Sequence, residues 1–515
     1  MTPGNVLFIT VDQWRGDCLS VLHHPLVRTP ALDRLSTRGV VFANHWANTA
    51  PCGPSRATLH TGMYAQNHRS VLNGTPLDDR FTNVARIARA AGYDPVLFGY
   101  TDTSIDPRTV AADSAALRSY EGILPGFSPA LPYVTPDGSP WLAWLASLGY
   151  DDLPERDPAL AYDPIPDFPG ADEHGETWAP TRFAAEHSET AFQVDEMRSW
   201  FEQHGDAPWF VHASFIRPHP PFRNPVGYHD RYDAAAGPGF RGFADRDDES
   251  KSHPLTQLAI DVVGEGCPVG DRDRRQQRAT YWGAMAEVDD QLGGLLDWME
   301  SHGLLDDTLV IVTSDHGEQA GDHWMSGKLL WFDESYHVPM IVVDPRADAG
   351  STRGAIVHSV TEHVDVLPTI CTWLGVDVPV QCDGRSLQPF VHSGAAPDHW
   401  RTHAHWEFDF RDPVGHLGED MLGLTMEQCS LNVIRGGRWK YVHFAAPASV
   451  LPPLLFDLDN DPDHTVNLAD DPVHAGVVAE CAQELLSWRM RHDERTLTGH
   501  FLSPDGLITR VDERR

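Results

Sequence analysis

Short aliphatic and β-branched runs alternate with stretches of helical period through most of the chain, and this alternation limits the possible folds more than any other feature. Val6–Val11 reads as a strand buried on both faces, and Val96–Gly99 and Trp209–Ser214 repeat the pattern. The last of these follows a helical stretch for which Ser188 is the N-cap. Arg278–His302 is the clearest helix, with Tyr281, Met285, Val288, Leu292, Leu295 and Met299 on one face and Gly303 placed to end it. Thr308–Thr313 and Val338–Val343 are further strands. Strands separated by helices need crossover connections, so the expected fold is α/β, a mixed, mostly parallel sheet sandwiched by helices. Such sheets bind ligands beyond the carboxyl ends of their strands. The polar clusters Asp12-Gln13-Trp14 and Ser314-Asp315-His316-Gly317 lie at two of those ends.

Two regions depart from the alternation. Asp102 to about Pro180 and about Asn224 to Asp273 are loop-dominated, and each is either a wall of the site or a surface excursion. After Gly375 the text becomes turn-rich, and Leu431–Ile434 and Trp439–Phe444 flank Arg435-Gly436-Gly437-Arg438 as a hairpin. A helix near Val477–Met490 follows. A chain of 515 residues exceeds one small core. The expected division is a catalytic domain over residues 1–384 and a smaller α+β domain over 385–515, with an antiparallel sheet and a terminal arm.

Lys and Arg number 39 against 74 Asp and Glu, a formal charge of −35. That balance argues against a nucleic-acid binder or a basic membrane-surface protein; an anionic substrate needs a local cationic site. Apolar runs fall far short of the roughly 20 residues a membrane span needs. The start, MTPGNVLFITVD, has no signal-peptide pattern. Seven scattered cysteines favour a reducing compartment, so cytoplasm is expected.

Pro51-Cys52-Gly53-Pro54-Ser55-Arg56-Ala57-Thr58-Leu59 carries the most chemical information. Proline here starts a helix, leaving Cys52 at an N-terminus that favours anions, with Arg56 one turn on along the same face. A reactive thiolate and a buried structural cysteine are both compatible with these residues. The spacing Cys-x-Pro-x-Arg before a helix resembles the sulfatase motif whose cysteine becomes formylglycine. With Asp12 after the first strand and Asp315-His316-Gly317 after a late one, the chain resembles the sulfatase branch of the alkaline phosphatase superfamily over nearly its whole length. Later landmarks are Asp383-Gly384-Arg385-Ser386-Leu387, Leu455-Phe456-Asp457-Leu458, Asp461-Pro462 and Asn467-Leu468-Ala469. Within that branch Val11-Asp12-Gln13-Trp14-Arg15-Gly16-Asp17, Gly99-Tyr100-Thr101, Arg217-Pro218-His219-Pro220-Pro221-Phe222 and Glu407-Phe408-Asp409-Phe410-Arg411-Asp412 look like bacterial phosphonate monoester hydrolases, which also cleave phosphodiesters.

The resemblance implies one divalent metal held by Asp12, Asp315, His316 and the modified Cys52. Two carboxylates and an imidazole from separate strand ends can converge on a cation, and the imidazole favours Mn²⁺, with Zn²⁺ or Ca²⁺ as alternatives. Gln13 falls at the metal's edge. The implied activity is hydrolysis of phosphonate monoesters and phosphodiesters, with side activity on sulfate esters, through a covalent formylglycine intermediate. Arg56 and Lys328 would offset charge on the nucleophile and the non-bridging oxygens, His219 would protonate the leaving group, and Asn73 and Tyr100 would touch the substrate. Relatives carry threonine where Asp102 stands, so this carboxylate either repels an anionic ester or pairs with Lys328 or Arg56. The implied partners are a small anionic ester, a formylglycine-generating enzyme and further copies in a tetramer. The rivals are a dedicated arylsulfatase, against which the missing Gly-Lys-x-His element argues, and a non-catalytic anion binder with unmodified Cys52. His403 and His405 alternate on a strand, and Asp457-Leu458-Asp459-Asn460-Asp461 reads as a turn rather than a Ca²⁺ loop.

Overall fold

The computed structural model describes residues 4–135, 137–150, 153, 157–261 and 267–510. Its main sheet has eight strands in the order Ala355–Val357, Val40–Phe42, Met340–Val343, Thr308–Ser314, Asn5–Val11, Phe210–Phe215, Pro95–Gly99, Ser128–Pro132. Met340–Val343 pairs antiparallel with both of its neighbours, and the other pairings are parallel. Alternation along the central strand explains the layering. Leu7, Ile9 and Val11 join one buried cluster with Met285, Val288, Leu292 and Met299 of the helix Asp271–Ser301. Val6 and Phe8 join another on the opposite face, with Leu59, Ile87 and Ile370 from three further helices.

Ser188 caps the helix Glu189–His204 by accepting from the Ala191 amide, as the sequence suggests. The long helix starts about two turns earlier than its apolar pattern indicates. Asp271 and Asp273 occupy its first turn, and the inward residues there are Arg274, Gln276 and Gln277, which leave no apolar period to read. The 102–180 stretch is more ordered than its composition implies. Ser128–Pro132 adds an edge strand, and Trp141, Leu142 and Leu145 of the helix Pro140–Ser147 form a small core with Tyr162, Phe183 and Phe192. Two short helices, Arg246–Lys251 and Pro254–Asp261, occupy the second loop-rich region.

A second sheet orders Leu454–Asp457, Trp439–Phe444, Ser430–Gly436, Ala404–Asp409 and Thr49–Ala50. The expected hairpin closes it, with Gly436 opposite Trp439, and Gly437 at φ 55° supplies the left-handed turn. Thr49–Ala50 pairs parallel with Ala404–Asp409, so the segment entering Pro51-Cys52 belongs to the smaller sheet. The helix Ala475–Arg491 covers that sheet through Leu485 and Trp488, and His405 stacks on Trp488 at 4.3 Å between ring centres. The Asp457–Asp461 segment is a turn in which Asp457 pairs with Arg438. The last five residues of the expected arm, 511–515, lie outside the described residues.

Leu292 is fully buried between the long helix and the sheet, so Leu292→Ala should cost about 2–5 kcal/mol of stability. A lowered midpoint in denaturant unfolding checks this.

Candidate active site

The nucleophile candidate lies between the two sheets. Cys52 opens the helix Cys52–Thr61, and its Sγ is 3.2 Å from His316 Nε2. One donor atom from each of Asp12, Cys52, Asp315 and His316 lies within 4.8 Å of all the others, and all four residues are buried. Asp12 and Asp315 end two adjacent parallel strands, and this places their carboxylates side by side.

Donor chemistry here suits a divalent cation. Asp12 Oδ1 is buried and accepts no hydrogen bond. His316 Nδ1 is 3.0 Å from the Gly317 carbonyl, so Nδ1 carries the proton and the Nε2 lone pair faces Cys52, Asp12 Oδ1 and Asp315 Oδ2, the last two each 3.7 Å away. Burial, then Lys328, pushes His316 down to about 3, against the pull of Asp12, so the ring is a neutral ligand. Asp315 is pushed up to about 6 by burial and by Asp12, with Arg56 opposing. For Asp12 burial acts upward, but His219, Arg56, His316 and Lys328 outweigh it and hold the carboxyl below the ordinary range.

Arg56 is fully buried beneath these carboxylates. Its Nε donates to Asp315 Oδ2 at 2.9 Å, Nη1 to Ser214 Oγ at 2.7 Å and the Tyr100 carbonyl at 3.3 Å, and Nη2 to Asp12 Oδ2 at 3.1 Å and Tyr100 Oη at 3.0 Å. All its N–H donors therefore end on protein. Arg56 thus holds the carboxylates in place, which differs from the expected contact with substrate oxygens. Tyr100 has the same orientation, with its hydroxyl donating to Asp12 and its ring 4.2 Å from the guanidinium carbon.

Gln13 is a clamp. Its backbone N–H donates to Asp315 Oδ1 at 3.1 Å, its amide nitrogen to Glu318, and its Oε1 accepts from Lys328 Nζ at 2.7 Å. Burial acts to lower Lys328, yet Cys52, Asp12, Asp315 and Glu318 hold it above the usual lysine range as a firm cation. Asn73 Oδ1 accepts from the Gly53 amide at 2.8 Å, leaving its Nδ2 without a protein acceptor among the described residues. His219 Nδ1 is 2.8 Å from the Pro220 carbonyl. Burial and then Lys328 push its imidazole down to about 4, with Asp12 opposing, so it is neutral near pH 7 with its Nε2 lone pair free of that bond. The near-neutral acid expected from sequence therefore needs the charge of a bound anion to take up its proton. Asp102 Oδ2 is 3.9 Å from Arg56 Nε, so of the two cations anticipated for it, Arg56 is the one it approaches.

Burial and then Asp12 push the Cys52 thiol well above its usual value, against the pull of Lys328, which disfavours a free thiolate at this position. Sequence reasoning also missed Ser214, Glu318 and Ser55, whose hydroxyl donates to the Asp315 carbonyl. Glu318 stands two residues after His316, and its acidity was the available signal.

The site thus sets a buried residue at a helix start against paired carboxylates at the strand ends of a mostly parallel sheet. The sequence matches the Sulfatase family over residues 4–376 and the family described as N-sulphoglucosamine sulphohydrolase, C-terminal, over residues 321–491. It is 41% identical, over 99% of this chain and 100% of the relative, to the multifunctional alkaline phosphatase superfamily protein PehA of Trinickia caryophylli. The solved phosphonate monoester hydrolase of Agrobacterium radiobacter superposes with TM-score 0.93 at 42% identity, covering 99% of this chain and 100% of that one. Another, from Silicibacter pomeroyi, gives 0.90 at 37% identity, covering 98% and 99%. The chain belongs to the sulfatase family and is a hydrolase of that family.

His316→Ala should remove the divalent metal from purified protein while leaving the circular dichroism spectrum unchanged. Elemental analysis checks it, and full metal occupancy in that variant would contradict the ligand assignment.

Proposed function

We propose that the protein is a cytoplasmic, metal- and formylglycine-dependent hydrolase of phosphonate monoesters and phosphodiesters, with side activity toward sulfate esters. The carrying observation is the bare, buried Asp12 Oδ1 opposite the His316 lone pair and Cys52 Sγ. That triangle is built for a cation shared with the side chain at position 52. Asp12, Asp315 and His316 would hold a divalent cation beside position 52, where it would supply Lewis-acid polarisation to an aldehyde hydrate formed from Cys52. Mn²⁺ suits a donor set of two carboxylates and one imidazole.

The protein's own groups do the rest. Arg56 keeps Asp12 and Asp315 ionised and in register. Lys328 Nζ, tethered to Gln13, and Asn73 Nδ2 face the anion and offset its non-bridging oxygens. His219 takes a proton when the anion binds and returns it to the leaving alkoxide. The substrate class follows the two phosphonate monoester hydrolases that match essentially end to end. A dedicated arylsulfatase is the second reading, favoured by a 25% identical arylsulfatase from Clostridium perfringens that aligns with 90% of this chain.

Cys52 is only 4% exposed, so a formylglycine-generating enzyme must act before the chain closes over it. All seven cysteines are free, in keeping with a cytoplasmic address. No described helix is long and apolar enough to cross a membrane. The hairpin His500–Ser503/Gly506–Thr509 exposes Phe501, Leu502, Leu507 and Ile508, and we assign it as the arm through which copies associate into a tetramer.

Mass spectrometry of the Cys52 peptide should find the aldehyde, and Cys52→Ala should cut turnover by about 10³-fold or more. A kinetic screen should rank phosphonate monoesters and phosphodiesters above sulfate esters in kcat/KM. The reverse order would favour the arylsulfatase.

A further inference from the structure

Asp102 is a carboxylate that the proposed reaction does not use. It is nearly buried beside Arg56, 9% exposed, and its side chain accepts no hydrogen bond among the described residues. Its backbone is in the left-handed region at φ 46°. A Cβ built on Gly53 would lie 3.1 Å from both the Asp102 carbonyl and Asn73 Oδ1. The loop therefore presses against the first turn of the nucleophile helix, beside a residue that faces the anion. Among the described residues, Arg56 is the one cation within 4 Å of the Asp102 carboxylate, at 3.9 Å, and it is already committed to Asp12 and Asp315.

The charge balance follows directly. Asp12, Asp102 and Asp315 oppose Arg56 and Lys328, and Glu318 adds to the negative side behind Gln13. With a dication in place, the site carries at most one net positive charge. Glu121, whose segment packs on this loop through the Thr103–Gly122 hydrogen bond, adds negative potential at Asp102. Burial, Asp12 and Asp315 push the Asp102 carboxyl up to about 7 against the pull of Arg56, in keeping with the same charge balance.

Resting on the proposed function, we infer that Asp102 is a specificity determinant that restricts this hydrolase to monoanionic esters and rejects dianionic phosphate monoesters. A second negative charge on the transferred group would meet an uncompensated carboxylate in a poorly solvated cleft, where like charges repel far more than in water.

The test uses the metal-loaded, full-length enzyme at about pH 9, where 4-nitrophenyl phosphate is a dianion and bis(4-nitrophenyl) phosphate a monoanion. Asp102→Asn keeps the shape and tolerates positive φ. It should raise kcat/KM for the monoester relative to the diester by about tenfold or more, whereas the charge-retaining Asp102→Glu should not. Asp102→Ser serves the same purpose if the Asn variant does not fold. Equilibrium binding to Cys52→Ala protein gives a second readout. There, adding Asp102→Asn should tighten inorganic phosphate relative to the diester. Ratios that stay within about twofold in both measurements overturn the inference. If the unaltered enzyme hydrolyses neither ester, the proposed function fails, and the binding comparison decides the role of Asp102 by itself.

Discussion

Arg56 lies beneath Asp12 and Asp315, and the site depends on that bridge. Two adjacent strands end in carboxylates that face one another in a dry interior, where their mutual repulsion would amount to several kcal/mol without compensation. One guanidinium reaching from a third part of the chain pairs with both and also takes Ser214 and Tyr100 as acceptors. Removing one partner from such a buried pair typically costs about 3–5 kcal/mol, because the remaining charge is left unpaired. The same contact fixes the Cys52 helix against the strand ends. Charge compensation and placement of Cys52 therefore rest on one interaction.

The smaller sheet contributes to this placement. Thr49–Ala50 is hydrogen-bonded to Ala404–Asp409, so the backbone entering Cys52 is set by strands more than 350 residues further along, as the Asn48 Nδ2 to His405 carbonyl bond with its separation of 357 illustrates. Glu362 ties the two parts again, accepting from the Tyr64 hydroxyl at 2.6 Å and the His405 amide at 2.7 Å. The composition changes after Gly375, where the expected division near residue 385 begins, but the hydrogen bonding of the segment entering Cys52 crosses that division.

Much of the framework was legible beforehand because it depends on local periodicity. Val6–Val11, Val96–Gly99 and the Trp439–Phe444 hairpin arm needed only short apolar, β-branched runs and turn residues. The four metal-ligand candidates came from the resemblance to the sulfatase motif, and their places at strand and helix ends made that set plausible. The start of the long helix was hidden because Arg274, Gln276 and Gln277 are buried polar residues. The edge strand Ser128–Pro132, with the sequence SPALP, has almost no strand signature, and its pairing with Pro95–Gly99 comes from the sheet already present.

The sequence by itself determined a crossover sheet, polar clusters at its strand ends and a cysteine at a helix start, since each follows from short-range pattern. Only the tertiary structure decided that Arg56 serves carboxylates instead of a ligand, that burial pushes the Cys52 thiol up, that Glu318 backs Gln13 and that the Asp102 side chain has no hydrogen-bond donor among the described residues. Donor direction and local dielectric are set by groups distant in the chain, such as the Gln13–Asp315 pair separated by 302 positions, and no local pattern encodes them.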